Sequence, residues 1–85
     1  MKTFEYTVTD TMGLHARPAG MFVQEVRKYK SRITLSAKGR STDGRKLMVI
    51  MGMGIKQGDR VTVCAEGPDE DAAIAAMENF FRENL

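Results

Sequence analysis

Between Gly13 and Gly20 the chain reads GLHARPAG, which places its only histidine two residues before an arginine and three before a proline. If a helix begins there, His15 takes the N-cap position and Ala16, Arg17 and Pro18 are its first three helical residues. Proline is tolerated in a first turn because its missing N–H has no intrahelical partner at that point. The amides of Ala16 and Arg17 have no such partner either. They coincide with the positive end of the helix dipole, which favours anions. The same positive end disfavours a second positive charge on the imidazole, so a ring nitrogen keeps its lone pair near neutral pH. Arg17 adds a planar set of donors matched to phosphate oxygens. Nucleophile, free amides and guanidinium together suit a histidine that accepts a phosphoryl group and gives it up again. The plainer alternative is a solvated histidine that only caps a helix.

Other chemistries find less support. No cysteine or carboxylate stands at ligand spacing from the single histidine, so neither a metal nor another cofactor is expected. Serine, histidine and aspartate all occur, but nothing arranges them as a triad. A chain of 85 residues buries only ~60–65% of its unfolded surface, too little to enclose a deep substrate pocket. Its 13 basic and 11 acidic residues are interspersed and leave a net charge of +2. Arg27, Lys28, Lys30 and Arg32 cluster, yet only Tyr29 among them could stack on a base, so nucleic acid is not an expected partner. No apolar run reaches the ~18–20 residues of a membrane span and no secretory leader is visible, so no direct membrane insertion is expected. The lone Cys64 cannot form an internal disulfide and is expected at a buried or half-buried strand position without a catalytic part. A small chain without covalent staples fits the reducing cytoplasm.

The elements that must hold this segment are read from periodicity. FEYTV alternates Phe4, Tyr6 and Val8 with polar neighbours, as a half-buried strand does. From Ala16 the period lengthens: Ala19, Phe22, Val23, Val26 and Tyr29 mark one stripe of a helix over roughly 16–28. RITLSAKG is a second strand, and GRSTD returns after a turn near Lys38 and Gly39. RVTVCAEG is a fourth alternating segment, and PDEDAAIAAMENFFREN is a helix capped by Asp69, with acids in its first turn and a polar Asn84 breaking the end of its apolar stripe. KLMVIMGMG fits either a strand or a short helix. Read as a helix, it sends Val49, Ile50 and Met53 toward the sheet and leaves Leu47, Met48 and Met51 partly exposed. Met21 likewise lies opposite the stripe, beside Arg17, Gln24 and Lys28. Deformable methionines next to basic residues suit a surface that accepts several partners in turn. The order β-α-β-β-α-β-α indicates a single α+β domain over 1–85, a sheet with helices on one face.

Taken together, GLHARPA at 13–19, LMVIM at 47–51, IKQGD at 55–59 and the acid-started last helix resemble HPr, the histidine-containing phosphocarrier family of the bacterial phosphoenolpyruvate:sugar phosphotransferase system. The resemblance spans essentially the whole chain. It implies an open-faced β-sandwich, a four-stranded antiparallel sheet with three helices on one face. It implies that His15 accepts a phosphoryl group on Nδ1 from enzyme I, with phosphoenolpyruvate as the donor, and passes it to the sugar-specific IIA components. The protein would then be a monomeric carrier and not an independent enzyme. Arg17 and the Ala16 amide would contact the phosphoryl group and Pro18 would shape the turn. Ala16, Gly20, Met21, Gln24, Arg27, Leu47, Met48 and Met51 match positions the family uses for docking. One position departs: many relatives carry a regulatory serine where this chain has Lys46. A lysine cannot take that modification, and its charge is opposite to that of the phosphoserine that weakens docking. A regulatory branch of the family, such as the nitrogen-related one, is the alternative setting for the same histidine.

Overall fold

In the computed structural model, which describes residues 1–85, the alternation of RITLSA and RVTVCAE becomes two adjacent strands. β1 (Lys2–Thr7), β2 (Arg32–Ala37), β3 (Arg40–Asp43) and β4 (Arg60–Glu66) form one antiparallel sheet in the order β1-β4-β2-β3. Along β2 and β4 the side chains of Ile33, Leu35, Ala37, Val61, Val63 and Ala65 are buried, and the residues between them stay partly or fully exposed. One face of the sheet therefore closes a core and the other stays open. The β2–β3 turn is Lys38–Gly39 with φ of 56° and 76°, the left-handed pair that matches the twist of a two-residue hairpin loop. Cys64 is half-buried on the open face, in register with Thr3 and Thr34.

Three helices cover the closed face: α1 (Ala16–Val26), α2 (Leu47–Gly52) and α3 (Glu70–Asn84). α1 buries Ala19, Phe22, Val23 and Val26, the stripe its spacing predicts. It ends two residues before the expected Lys28. The Lys28 and Tyr29 amides bond back to Glu25 and Val26, a three-residue spacing that tightens the chain and half-buries Tyr29 just past the helix. α3 contributes Ala73, Met77, Phe80 and Phe81. The Phe81 ring meets Phe4, Tyr6, Phe22 and Phe80 at near-perpendicular angles with centroids 5.5–6.0 Å apart, so it joins β1 to both long helices.

The ambiguous segment is helical, but its buried arc differs from the expected one. Ile50 and Met53 are buried and Leu47 is half-buried, whereas Val49 is 44% exposed. A helix of six residues covers the core with an arc centred on Ile50. Val49 lies about 100° round from that centre and reaches solvent.

Asp69 also behaves differently from a simple cap. It sits at the N-cap of α3 but makes no cap bond there. Its carboxylate accepts instead from the Lys30 and Ser31 amides and the Ser31 hydroxyl, which ties the α1–β2 connection to the last helix. Ser31 is the one buried polar residue, and Gly67 packs against it so closely that a Cβ there would lie 2.7 Å from the Ser31 Cα. Glu70 takes over at the helix start, accepting from the Gly67 amide at 3.0 Å and from the Met1 ammonium at 2.8 Å.

These bonds hold both carboxyls below the usual carboxylate range, Asp69 through the Ser31 hydroxyl and Lys30 amide, Glu70 through the Met1 ammonium and Gly67 amide. Because the native values are lowered, the stabilisation is complete above the ordinary carboxylate range. It is lost as pH falls through the lowered native values. Thermal melts taken at decreasing pH should show this decline, and Asp69→Asn should make the decline shallower. An unchanged pH slope in the variant would mean that Asp69 does not carry this linkage.

Candidate functional site

His15 occupies the N-cap of α1 with extended backbone, φ −87° and ψ −175°, and its side chain makes no cap hydrogen bond. Its carbonyl oxygen accepts the first helical bond, from the Ala19 amide at 3.0 Å. The amides of Ala16 and Arg17 have no hydrogen-bond partner in the protein, and Pro18 has no N–H to offer. The imidazole is half-buried, and Ala16 and Arg17 are exposed. Arg17 takes part in none of the ion pairs. An imidazole free of cap bonds, two unclaimed amides and an uncommitted guanidinium thus share one helix end.

Three anchors hold the loop before His15. The Gly13 amide bonds to the Asp10 carbonyl at 3.0 Å, and the Leu14 amide bonds to the Ile55 carbonyl at 3.1 Å. Leu14 itself is buried, and Gly13 has φ +67°. At the loop's other end, the amides of Thr9 and Asp10 and the Thr9 hydroxyl all donate to the Leu85 carbonyl oxygen, at 2.6, 2.9 and 2.7 Å. The histidine is therefore positioned from α1, from the α2–β4 loop and from the end of α3 together.

A cavity of about 210 Å³ opens beside the ring, lined by Asp10, His15, Arg17, Pro18, Met21 and Asn84. Pro18 is buried, so it shapes the cavity wall and first turn more than it offers surface. Asp10 and Asn84 were not among the site residues expected from the sequence. Asp10 Oδ1 accepts from the Met12 amide at 2.8 Å, and Asn84 donates to the Phe80 carbonyl at 3.0 Å. For Asn84 there was a signal, the polar break in the apolar stripe of α3. Asp10 had none, because only the turn at Gly13 folds it back toward the ring.

Of the exposed methionines, Met21 lines this cavity. Met21 is 44%, Met48 77% and Met51 40% exposed, and Met12 and Val49, outside the expected set, are exposed as well. Gln24 on α1, Arg27 at its C-cap and Lys46 at the N-cap of α2 are exposed, whereas Gly20 and Leu47 are only partly so. α1 and α2 touch each other, so residues from both share one side of the molecule.

The chain is similar to known proteins in sequence and in fold. The family profile described as "PTS HPr component phosphorylation site" matches residues 2–83. The phosphocarrier protein HPr of Mycoplasma capricolum is 40% identical over 78 residues, 92% of this chain and 88% of that protein. A solved mycoplasma histidine-containing phosphocarrier protein superposes with a TM-score of 0.93 at 36% identity, covering 96% of this chain and 93% of its own. A structure of an HPr dimer from Thermoanaerobacter tengcongensis is also similar, with a TM-score of 0.77 at 36% identity, over 98% of this chain and 95% of that one. Similarity of fold therefore extends to a dimeric relative, and the single-copy state expected from the sequence does not follow from the fold alone.

Proposed function

For a chain that belongs to the HPr family of phosphotransferase-system phosphocarriers, we propose that His15 is the phosphoryl acceptor, loaded by enzyme I and discharged to IIA components. The observation that supports this most is the helix end at His15, where the ring is free of cap bonds and the following two amides are free of partners. The Nδ1 lone pair forms the new bond to phosphorus while the bond between phosphorus and its carrier atom on enzyme I breaks. The Ala16 and Arg17 amides and the Arg17 guanidinium donate to the phosphoryl oxygens as charge builds on them. Handing the group on runs the same exchange in reverse, with the acceptor on the IIA component as the attacking atom. A dipole effect of ~0.3–1 kcal/mol at a partly exposed helix end holds the phosphoryl group without trapping it.

Docking falls to the exposed apolar side chains of α1 and α2, with Arg27 and Lys46 at their edge. Lys46 stands where many relatives carry the regulatory serine. It keeps a positive charge there and accepts no phosphoryl group, so this face is not switched off by a phosphoserine at that position. The direct test is incubation with phosphoenolpyruvate, with and without enzyme I. With enzyme I, one acid-labile phosphoryl group should be added per chain. No incorporation would remove the carrier reading.

Arg17→Ala should slow transfer ~10–100-fold, the worth of one charge-assisted contact of about 1.5–3 kcal/mol. The melting temperature should stay close to wild type, because Arg17 is exposed and unpaired. A large loss of stability instead of rate would contradict that placement.

A further inference from the structure

The open side of the sheet carries a second cavity, of about 370 Å³, at the turn end of the β2–β3 hairpin. Lys38, Arg40 and Arg60 are the basic residues of its lining, with Arg40 at the hairpin end opposite Ala37, and Ser36, Ser41 and Thr62 supply three hydroxyls. No carboxylate lines it, and Glu5 stands next along the row, opposite Thr62. The register explains the hydroxyls. Ser36 on β2 lies opposite Ser41 on β3 and opposite Thr62 on β4, so one row of oxygens crosses three strands about 4.8 Å apart. Ser36 donates to Ser41 at 3.0 Å, which leaves the Ser41 proton free for a ligand.

The two arginines are only lightly committed. Arg40 takes part in no ion pair. Arg60 has a single-point contact with Glu5 at 3.1 Å, between side chains 70% and 59% exposed. Lys38 reaches the Gly54 carbonyl at 2.8 Å and Asp59 at 3.1 Å. The exposed Arg60–Glu5 pair exchanges readily for a better anion, while Lys38 stays tied to the α2–β4 loop. The left-handed turn at Lys38–Gly39 fixes the hairpin on which two of the three cations stand.

Such a lining recognises a compact dianion with a hydroxylated body. The guanidinium groups match the oxygens of a phosphate ester, and the serine and threonine row can bond to the rest. A nucleic-acid strand would call for stacking aromatics, and none lines this cavity. We propose that this end of the open sheet face binds a small soluble phosphate monoester, at a site separate from the relay at His15.

The test is a titration of the whole ¹⁵N-labelled protein with glycerol 3-phosphate, with sodium chloride at matched ionic strength as the reference. Amides of residues 36–41 and of Thr62 should shift saturably at millimolar ester. In the double variant Arg40→Gln, Arg60→Gln that response should weaken at least about tenfold, the loss of one or more charge-assisted contacts. Any response of the Ala16 and Arg17 amides should be unaltered in the double variant, which keeps the two sites distinct and shows that the fold is intact. The proposal is overturned if the hairpin amides do not shift, if chloride shifts them equally, or if the double variant binds as well as wild type. A response only to vesicles containing phosphatidate, and not to the soluble ester, overturns it in favour of a membrane surface.

Discussion

His15→Ala should abolish phosphoryl acceptance altogether, with no residual incorporation from enzyme I and phosphoenolpyruvate. The chain contains a single histidine, so no second imidazole can substitute. The amides of Ala16 and Arg17 survive the change and still favour an anion, but binding without a nucleophile forms no bond. The fold should be almost untouched. The imidazole makes no cap hydrogen bond and is only half-buried, and substitutions at such positions usually stay within about 0.5 kcal/mol. Intact-mass measurement after incubation reads the first expectation, and a thermal melt reads the second. A phosphoryl group found on the alanine variant would assign the acceptor to another residue and dismantle the proposed mechanism.

Gly13→Ala should be the most damaging small substitution near the site. Glycine is required there for two independent reasons. Its φ of +67° is a left-handed conformation, which costs a residue with a Cβ ~1–2 kcal/mol. The added Cβ would also lie 2.5 Å from the Ile55 carbonyl oxygen and 2.7 Å from the Lys56 Cα, both backbone atoms that cannot swing aside. The clash strikes the segment that receives the Leu14 amide, so the loop that carries His15 must move. A loss of about 2–4 kcal/mol is expected, lowering the melting temperature by ~10–20 °C, and phosphoryl transfer should fall well beyond what the lost stability explains. Gly52→Ala is the matched control. It is helical and its Cβ would meet nothing within 4 Å, so it should be neutral or stabilising by ~0.5–1 kcal/mol. If both variants melt alike, the close approach at Ile55 does not constrain the loop.

What could be read from the sequence was whatever repeats locally. The alternation of Ile33 and Leu35, or of Val61 and Val63, says which face is buried, and the Ala19–Phe22–Val23–Val26 spacing says which side of α1 turns inward. The heptapeptide itself was legible because a helix start, a histidine and an arginine interact over a few residues. Where a distant partner decided the outcome, local pattern failed. Asp69 looks like a cap for its own helix, but the Ser31 and Lys30 donors compete for its oxygens and win them. Val49 looks like core in a short apolar run, yet a helix of this length has only one narrow arc to bury. Asp10 reaches the cavity by Met12 and Gly13 bonds that no periodicity announces. Lys46 drew notice only through the family resemblance, and the structure shows it as the exposed N-cap residue of α2.

The position of β4 in the sheet has a consequence for how the molecule is made. It lies between β1 and β2, with Lys2 opposite Ala65 and Arg32 opposite Glu66, although it is synthesised after every other strand. As the chain leaves the ribosome, β1 therefore waits without a neighbour, and the β2–β3 hairpin is at first an isolated two-stranded ribbon, too weak to persist by itself. Closing these long-range pairings requires loops of high contact order, which slows folding relative to a helical bundle of the same size. The histidine loop, tied to Ile55 and Leu85, takes shape only with that last closure. Nascent fragments of this protein accordingly lack the formed helix end at His15, and the proposed acceptor is assembled only with that last closure.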